Sequence, residues 1–293
     1  MQTLDQLLQT AATREKSWVS VAVAEDATVL QAVAEAGQRG IAEFFLVGDT
    51  GAMTEIAAAR GLDLAPFTLV HEPDPKVACR KAVTLVAEGR AGALMKGKID
   101  TSIIMGAALD REHGIRAGRK LSHLAAFALP TYHKLLFVTD AAINIQPDLD
   151  TKKQIVQNAV DAVRNLGVDC PKVALLAAKE KVDEKMPVTV AWAELIESGT
   201  ITDCVLDGPL ALDNAVSKES VAIKGITSPV GGDADILVCP DIEAGNVLYK
   251  ALAFLANGRN GGVVVGAKRP IILTSRADSS ESKLVSIALG VLF

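Results

Sequence analysis

The apolar positions of the chain recur in two alternating periods. Leu4, Leu7, Leu8 and Ala11 lie three and four apart and predict a first helix ending near Ser17. A β-branched run at 19–23 predicts a strand, and Asp26 is placed to cap a helix running to about Gly37, with Gly40 completing the stop. Residues 44–47 read as a second strand and 53–60 as its helix. After the Pro-bounded turn at 71–75, residues 77–87 return to helical spacing, and 93–95 form a short buried strand. That strand runs into Lys96-Gly97-Lys98, with Asp100 and Thr101 placed to start a helix over 102–109. The order βαβα is the grammar of a parallel sheet.

From Arg111 to Lys120 the apolar pattern lapses into charge and glycine and resumes at Leu124, which predicts a hinge or domain crossing. Residues 135–138 then form a strand ending in Thr139-Asp140, and 143–147 an irregular loop. Asp150 or Thr151 starts a helix reaching Leu166 and ended by Gly167. Residues 173–177, 189–196 and 204–206 continue the alternation, with Asp207-Gly208-Pro209 read as a turn at a strand end. The architecture expected is an α/β protein of two domains with the active cleft between them. Residues 1–118 with 266–293 form a discontinuous first domain, and 119–265 the second.

The region from 223 to 289 organises the expected site. It holds the loop 227–232, the strand 236–239, the turn 240–246, the strands 263–265 and 271–273, and Thr274-Ser275-Arg276 before a last apolar helix. Two short β-branched runs there each end in a polar turn and a helix-period segment. Ligands of open α/β sheets sit at the carboxyl ends of strands, where helix N-termini present free N–H groups to anions. Ser275 and Arg276 offer a hydroxyl and a fixed positive charge at that position, a pairing suited to phosphate or an oxyanion. Lys96-Gly97-Lys98 is a second candidate anion corner.

Composition narrows the class. Of 293 residues, 49% are hydrophobic and only 4% aromatic, so Ala, Val, Leu and Ile carry the burial, as in α/β proteins. The net charge of −5 and the absence of a dense basic run argue against nucleic acid or an anionic membrane as partner. Cys79, Cys170, Cys204 and Cys239 form no C-x-x-C pair and no Cys/His cluster, so neither a metal site nor a disulfide framework is expected. With no signal-peptide pattern and no run of membrane-spanning length, a cytoplasmic location is expected.

No G-x-G-x-x-G follows a strand, no P-loop occurs, and no G-x-S-x-G elbow surrounds Ser275. Each candidate has a competing structural reading. Ser275 and Arg276 also fit an ordinary turn, and Lys96 a surface lysine. Asp278 and Glu281 have the spacing of a capping box, with Asp278 at the N-cap and Glu281 reaching back. Asp140 and Asn144 fit groups that satisfy backbone at a strand end. The four histidines show no partner spacing and receive no role.

At these residues the chain resembles the phosphate acetyl- and butyryltransferase family. The runs that carry the likeness are 93–97, 135–144, Ser228-Pro229-Val230, 240–246 and Thr274-Ser275-Arg276, in that order. The resemblance implies reversible transfer of an acyl group from CoA to inorganic phosphate, without cofactor or metal. It also implies a two-domain fold like that of isocitrate and isopropylmalate dehydrogenases, as a homodimer. Ser275 would bond the reacting thioester or leaving thiolate, and Arg276 would hold phosphate. Lys96, Asp140, Asn144, Ser228 and Asn246 are the expected substrate-binding residues.

The acetyl-transferring members carry a general-base aspartate seven residues after the serine, where this chain has Ser282. Glu281, then Asp278, are the candidates for that role, and Asp140 the reserve. The arginines of the acetyl branch on the helices matching 102–109 and 246–255 are missing, leaving Lys96, Arg111 or Lys250 to compensate. Those departures, with Met95-Lys96-Gly97 and the tail 274–279, resemble the butyryl branch. Two other classes stay open: a non-catalytic acyl-CoA or anion-binding homologue, and an NAD-dependent decarboxylating dehydrogenase of the same fold.

Overall fold

The computed structural model describes residues 3–274 and 278–293. The chain divides into two compact units, Leu4–Arg119 with Asn260–Phe293, and Lys120–Arg259. The first opens with α1 (Leu4–Thr13), β1 (Ser17–Ala22), α2 (Ala27–Gln38), β2 (Ala42–Gly48), α3 (Thr50–Arg60), β3 (Thr68–His71), α4 (Pro75–Ala87), β4 (Ala93–Lys96) and α5 (Thr101–Ala108). The second holds β5 (Ser122–Ala128), β6 (Leu136–Thr139), α6 (Leu149–Asn165), β7 (Lys172–Leu176), α7 (Pro187–Glu197), β8 (Val205–Leu210), α8 (Leu212–Val216), α9 (Lys218–Lys224), β9 (Ile236–Val238) and α10 (Ile242–Lys250), which runs on as a π-helical turn, Ala251–Leu255. β10 (Arg259–Val265), β11 (Ile271–Ile272) and α11 (Ser280–Leu292) then complete the first.

Strands of the first unit lie in the order β3-β2-β1-β4-β11-β10. All its pairings are parallel except β10 with β11. The second unit has the order β5-β6-β9-β7-β8, parallel except for β5 with β6. Parallel neighbours need a long crossover, and the connections at 129–135 and 266–270 are too short to supply one, so those two pairs fold back as hairpins. Helices cover the parallel strands, which is why β4, β6 and β9 are buried at every position.

The chain returns to the first unit at Asn260, earlier than the Gly266 read from the pattern, because β10 packs against α11. An added Cβ at Gly261 would meet Val285 Cγ1 at 2.6 Å, and the Gly262 N–H donates to Ser286 Oγ at 2.9 Å. Packing of this kind has no local signature.

Helix starts follow aspartate. Asp26, Asp49, Asp74, Asp148 and Asp241 each accept backbone N–H bonds in the first turn of the helix they precede. Four local expectations are corrected by the structure. Asp148, not Asp150 or Thr151, caps α6, with Thr151 N–H donating to Asp148 Oδ1 at 2.8 Å. The N-cap of α11 is Ser279, whose hydroxyl accepts from Ser282 N–H, so Asp278 lies outside the helix and Glu281 is not the second half of a capping box. Asp207-Gly208-Pro209 lies inside β8 rather than in a turn, as an edge strand allows for proline. The segment read as a turn at 240–246 is mostly the start of α10.

Candidate functional site

Each unit presents expected site residues at the carboxyl ends of its strands. In the second unit Asp140 follows β6, and its buried carboxylate accepts four bonds. Oδ1 takes the N–H groups of Ala142 and Ile143 at 3.0 and 3.1 Å, and Oδ2 takes Asn144 N–H at 3.1 Å and Asn144 Nδ2 at 2.6 Å. Asn144 Nδ2 also donates to Leu121 O at 2.8 Å. Asn246, on α10, donates from Nδ2 to Ala141 O at 3.2 Å. Beside it Gly245 lets the helix rest on the turn, since an added Cβ would sit 2.2 Å from Asp140 O. The structure therefore gathers Asp140, Asn144 and Asn246 around one turn.

Ser228 belongs to another group in the same unit. Its hydroxyl donates to the Asp207 carboxylate and accepts from Val230 and Gly231 N–H at 3.2 and 3.0 Å. This arrangement closes the loop after α9 on β8. Cys239, just after β9, is an inert neighbour: burial first, then the charges of Asp241 and Asp140, push its thiol up to about 12.

The edge of the first unit carries an inward lysine. Lys96 ends β4 and is only 8% exposed, so it is not the surface lysine of the competing reading. Its Nζ donates to Ile99 O at 3.1 Å, and Gly97 brings the backbone against β1, where an added Cβ would meet Val23 O at 2.1 Å. The N–H groups of Gly97 and Lys98 bond Ala22 O and Val23 O. The three-residue motif is thus a tight strand-end corner with an inward lysine.

The start of α11 adds a residue that sequence reasoning missed. Lys283 is 2% exposed, and its Nζ donates to Asp278 O at 2.7 Å. Burial pushes its ammonium below the usual lysine range, while the Asp278 and Asp26 carboxylates oppose that shift. For Asp26 burial disfavours the charge, but bonds from Thr28 and Val29 and the Lys283 charge prevail and hold its carboxyl below the usual range. The available signal was a lysine directly before the apolar run from Leu284, on a face that buries everything around it. Asp278 is half-buried and Glu281 exposed on the first turn. Ser275 and Arg276 lie outside the described residues.

A cavity of about 340 Å³ lies in the second unit, lined by Leu129, Tyr132, Leu212, Val216, Leu248 and Leu252 among other uncharged residues. It contains none of the expected site residues. Among the described residues no helix is long and apolar enough to cross a membrane, and no group of three His, Cys, Asp or Glu is placed to hold a metal ion.

Comparison with known proteins adds the chemical context. The family model described as "Phosphate acetyl/butaryl transferase" matches residues 74–291. A phosphate butyryltransferase of Clostridium acetobutylicum is 43% identical over 295 residues, covering 100% of this chain and 98% of that protein. A phosphate acetyltransferase of Rhizobium meliloti is also 43% identical, over 292 residues, covering 99% and 92%. Among solved structures, a branched-chain phosphotransacylase from Enterococcus faecalis V583 superposes with a TM-score of 0.84 at 37% identity, covering 94% of this chain and 98% of that one.

Proposed function

The chain belongs to the phosphate acetyl/butaryl transferase family and is a phosphate acyltransferase, and from that premise we propose that its acyl group is butyryl or a short branched chain. The reaction exchanges one bond for another. A phosphate oxygen attacks the thioester carbonyl, the C–O bond of the acyl phosphate forms, the C–S bond breaks, and the CoA sulfur leaves with the electron pair and takes a proton. In reverse, a carboxylate removes the thiol proton before sulfur attacks.

Arg276 holds phosphate as a bidentate cation, and Ser275 donates to the charge that develops on the reacting thioester. Lys96 adds positive charge at the end of β4. In the second unit, Asp140, Asn144, Asn246 and Ser228 shape the loops that meet the substrates, as their bonds to backbone support. Glu281, exposed at the start of α11, is the first candidate for the base and Asp278 the second. The same reading carries the two-domain, isocitrate/isopropylmalate-dehydrogenase-like arrangement with substrates between the domains, which a structure with CoA and phosphate bound would test. It also carries a cytoplasmic homodimer, supported by the exposed apolar residues Val247, Phe254 and Leu255 on α10 and its π-helical turn. Light scattering of wild type and Phe254→Glu checks the dimer.

The observation that carries the acyl preference is the run Met95-Lys96-Gly97 with the sequence of the tail 274–279, together with a branched-chain relative of the same fold. Identity alone does not choose, since the butyryl and acetyl relatives above match equally well. The test is phosphate-dependent release of free CoA thiol from acetyl-, propionyl-, butyryl- and isobutyryl-CoA. Butyryl or isobutyryl is expected to give the highest kcat/KM, and acetyl giving the highest would overturn the preference. For the base, Glu281→Gln is expected to remove the acidic limb of the CoA-consuming pH profile with little change in Tm. If Asp278→Asn does so instead, the assignment moves to Asp278.

A further inference from the structure

The four cysteines lie far apart in the sequence, yet the fold brings two of them to one place on the surface. Cys79 and Cys239 are buried, and burial pushes their thiols up to about 11 and about 12. Cys170 is exposed and Cys204 half-buried. Cys170 stands just before β7 and Cys204 directly before β8, and these strands pair in parallel with Lys172 opposite Val205. The pairing begins at the cysteines: Val205 N–H, the next residue after Cys204, donates to the carbonyl of Pro171, the next after Cys170, at 3.0 Å. Arg164 on α6 clamps the same two segments, its Nε donating to Asp169 O at 3.0 Å and its Nη1 meeting Asp203 Oδ2 at 3.1 Å. Gln157 on that helix accepts Thr202 N–H at 3.2 Å. Adjacent strands lie about 4.8 Å apart and each residue advances about 3.3 Å, which puts the Cα atoms of diagonal neighbours roughly 6 Å apart. A disulfide spans Cα separations of about 4.4–6.8 Å. Side chains of a regular ladder alternate in face, but both cysteines lie outside the strands. Asp203, at a φ of 62°, turns the chain just before Cys204.

We propose that Cys170 and Cys204 are a redox-active dithiol that closes reversibly to a disulfide by exchange with a low-molecular-weight disulfide such as oxidised glutathione. Cys170, the exposed thiol, gives its proton to solvent and its sulfur attacks one sulfur of the reagent. The reagent's S–S bond breaks, and one thiolate leaves with the electron pair and takes up a proton. Cys204 loses its proton to water and attacks the Cys170 sulfur, and the second thiolate leaves in the same way. Two protein thiols are thereby oxidised and one small disulfide is reduced to two thiols. Burial first, then the charges of Cys170 and Asp203, push the Cys204 thiol up to about 11, so Cys204 resolves the mixed disulfide rather than forming it. The pair sits at the amino ends of β7 and β8, whereas Asp140 follows the carboxyl end of β6 in the same parallel set. It is therefore separate from the turn that gathers Asp140, Asn144 and Asn246, and does not rest on the acyl-transfer reading.

The experiment incubates the folded full chain, as wild type, Cys170→Ser and Cys204→Ser, with oxidised glutathione. After an alkylating quench, intact mass, thiol titration in denaturant and non-reducing peptide maps are read. Wild type is expected to lose two of its four thiols, retain no glutathione and yield a peptide linking Cys170 to Cys204. Dithiothreitol is expected to reverse all three changes. Cys204→Ser is expected to stop at one glutathione adduct on Cys170. Cys170→Ser is expected to react about tenfold more slowly or less, because the remaining thiols are half-buried or buried. Should a serine variant fail to fold, the wild-type peptide map decides the matter by itself. Wild type that keeps glutathione on Cys170 without closing, or leaves both cysteines unmodified, overturns the inference. So does a bond from either cysteine to Cys79, to Cys239 or to a second chain.

Discussion

The edge after β6 and the edge after β4 handle polar groups in opposite ways. At the first, the Asp140 carboxylate is occupied by four donors from its own turn, and Asn144 and Asn246 bond carbonyls nearby. Those polar groups shape the chain. At the second, two lysines are drawn inward at Lys96 and Lys283, and the carbonyls of Ile99 and Asp278 accept from their ammonium groups. On the proposed reading, this edge is the one that meets phosphate, with its lysines already held in place before phosphate arrives. On that reading, equally polar strand ends serve as scaffold in one place and as electrostatic site in another. Whether the polar atoms are used up by the local backbone separates the two.

The comparison is most severely tested by the residues between β11 and α11. We expect Ser275→Ala to lower kcat by about 10²–10³ while substrate binding survives, because the lost donor acts on charge present only in the transition state. Single-turnover rates beside equilibrium CoA binding check this. A near-normal kcat would leave that edge without a catalytic group.

Arg276→Ala is expected to raise the KM for phosphate, at a cost of roughly 1.5–3 kcal/mol for a lost charge-assisted pair, with less effect on acyl-CoA. Phosphate saturation curves measure it. An unchanged curve would remove Arg276 from the site and shift the burden to Lys96.

At the other edge the expectation reverses. Asp140→Ala leaves part-buried backbone donors at Ala142, Ile143 and Asn144 without their acceptor, at on the order of 1–3 kcal/mol for each donor that water does not reach. Its Tm should fall markedly, while the kinetic constants of the folded fraction stay within a few-fold. A large rise in KM without loss of Tm would show instead that Asp140 meets substrate directly.

The smallest effect concerns charge at the opposite ends of the strands in the second unit. Asp233 bonds Lys172 at 2.6 Å, His133 at 2.8 Å and Lys134 at 3.2 Å. Burial opposes its ionisation, but these partners hold its carboxyl well below the usual 3.8. A carboxyl lowered on folding adds stability above its unfolded value, and that stability fades as pH falls toward the folded one. Asp233→Asn should therefore be less stable than wild type at neutral pH, with the gap closing below about pH 4. Urea midpoints across pH read it, and a gap independent of pH would show that packing, not charge, is lost.

Much of this molecule was written locally. Asp26 could be read as a cap and the βα alternation as parallel sheet, because capping and hydrophobic period depend on residues a few positions apart. The ordered runs around Lys96, Asp140, Asn246 and Ser275 likewise named the family, since a reaction is legible when its residues keep their spacing. Other features needed the third dimension. Ser279 rather than Asp278 caps α11, Asp207 to Pro209 lie in β8, and the short connections at 129–135 and 266–270 turn two strand pairs antiparallel. Lys283 is the clearest case. As a sequence position it is one lysine on a helix; only the fold shows it 2% exposed, with its ammonium donating to the Asp278 carbonyl. The sequence by itself determined the alphabet of elements and the chemistry of the family. Only the tertiary structure decided which charges are taken out of water, because desolvation depends on everything that packs around a group.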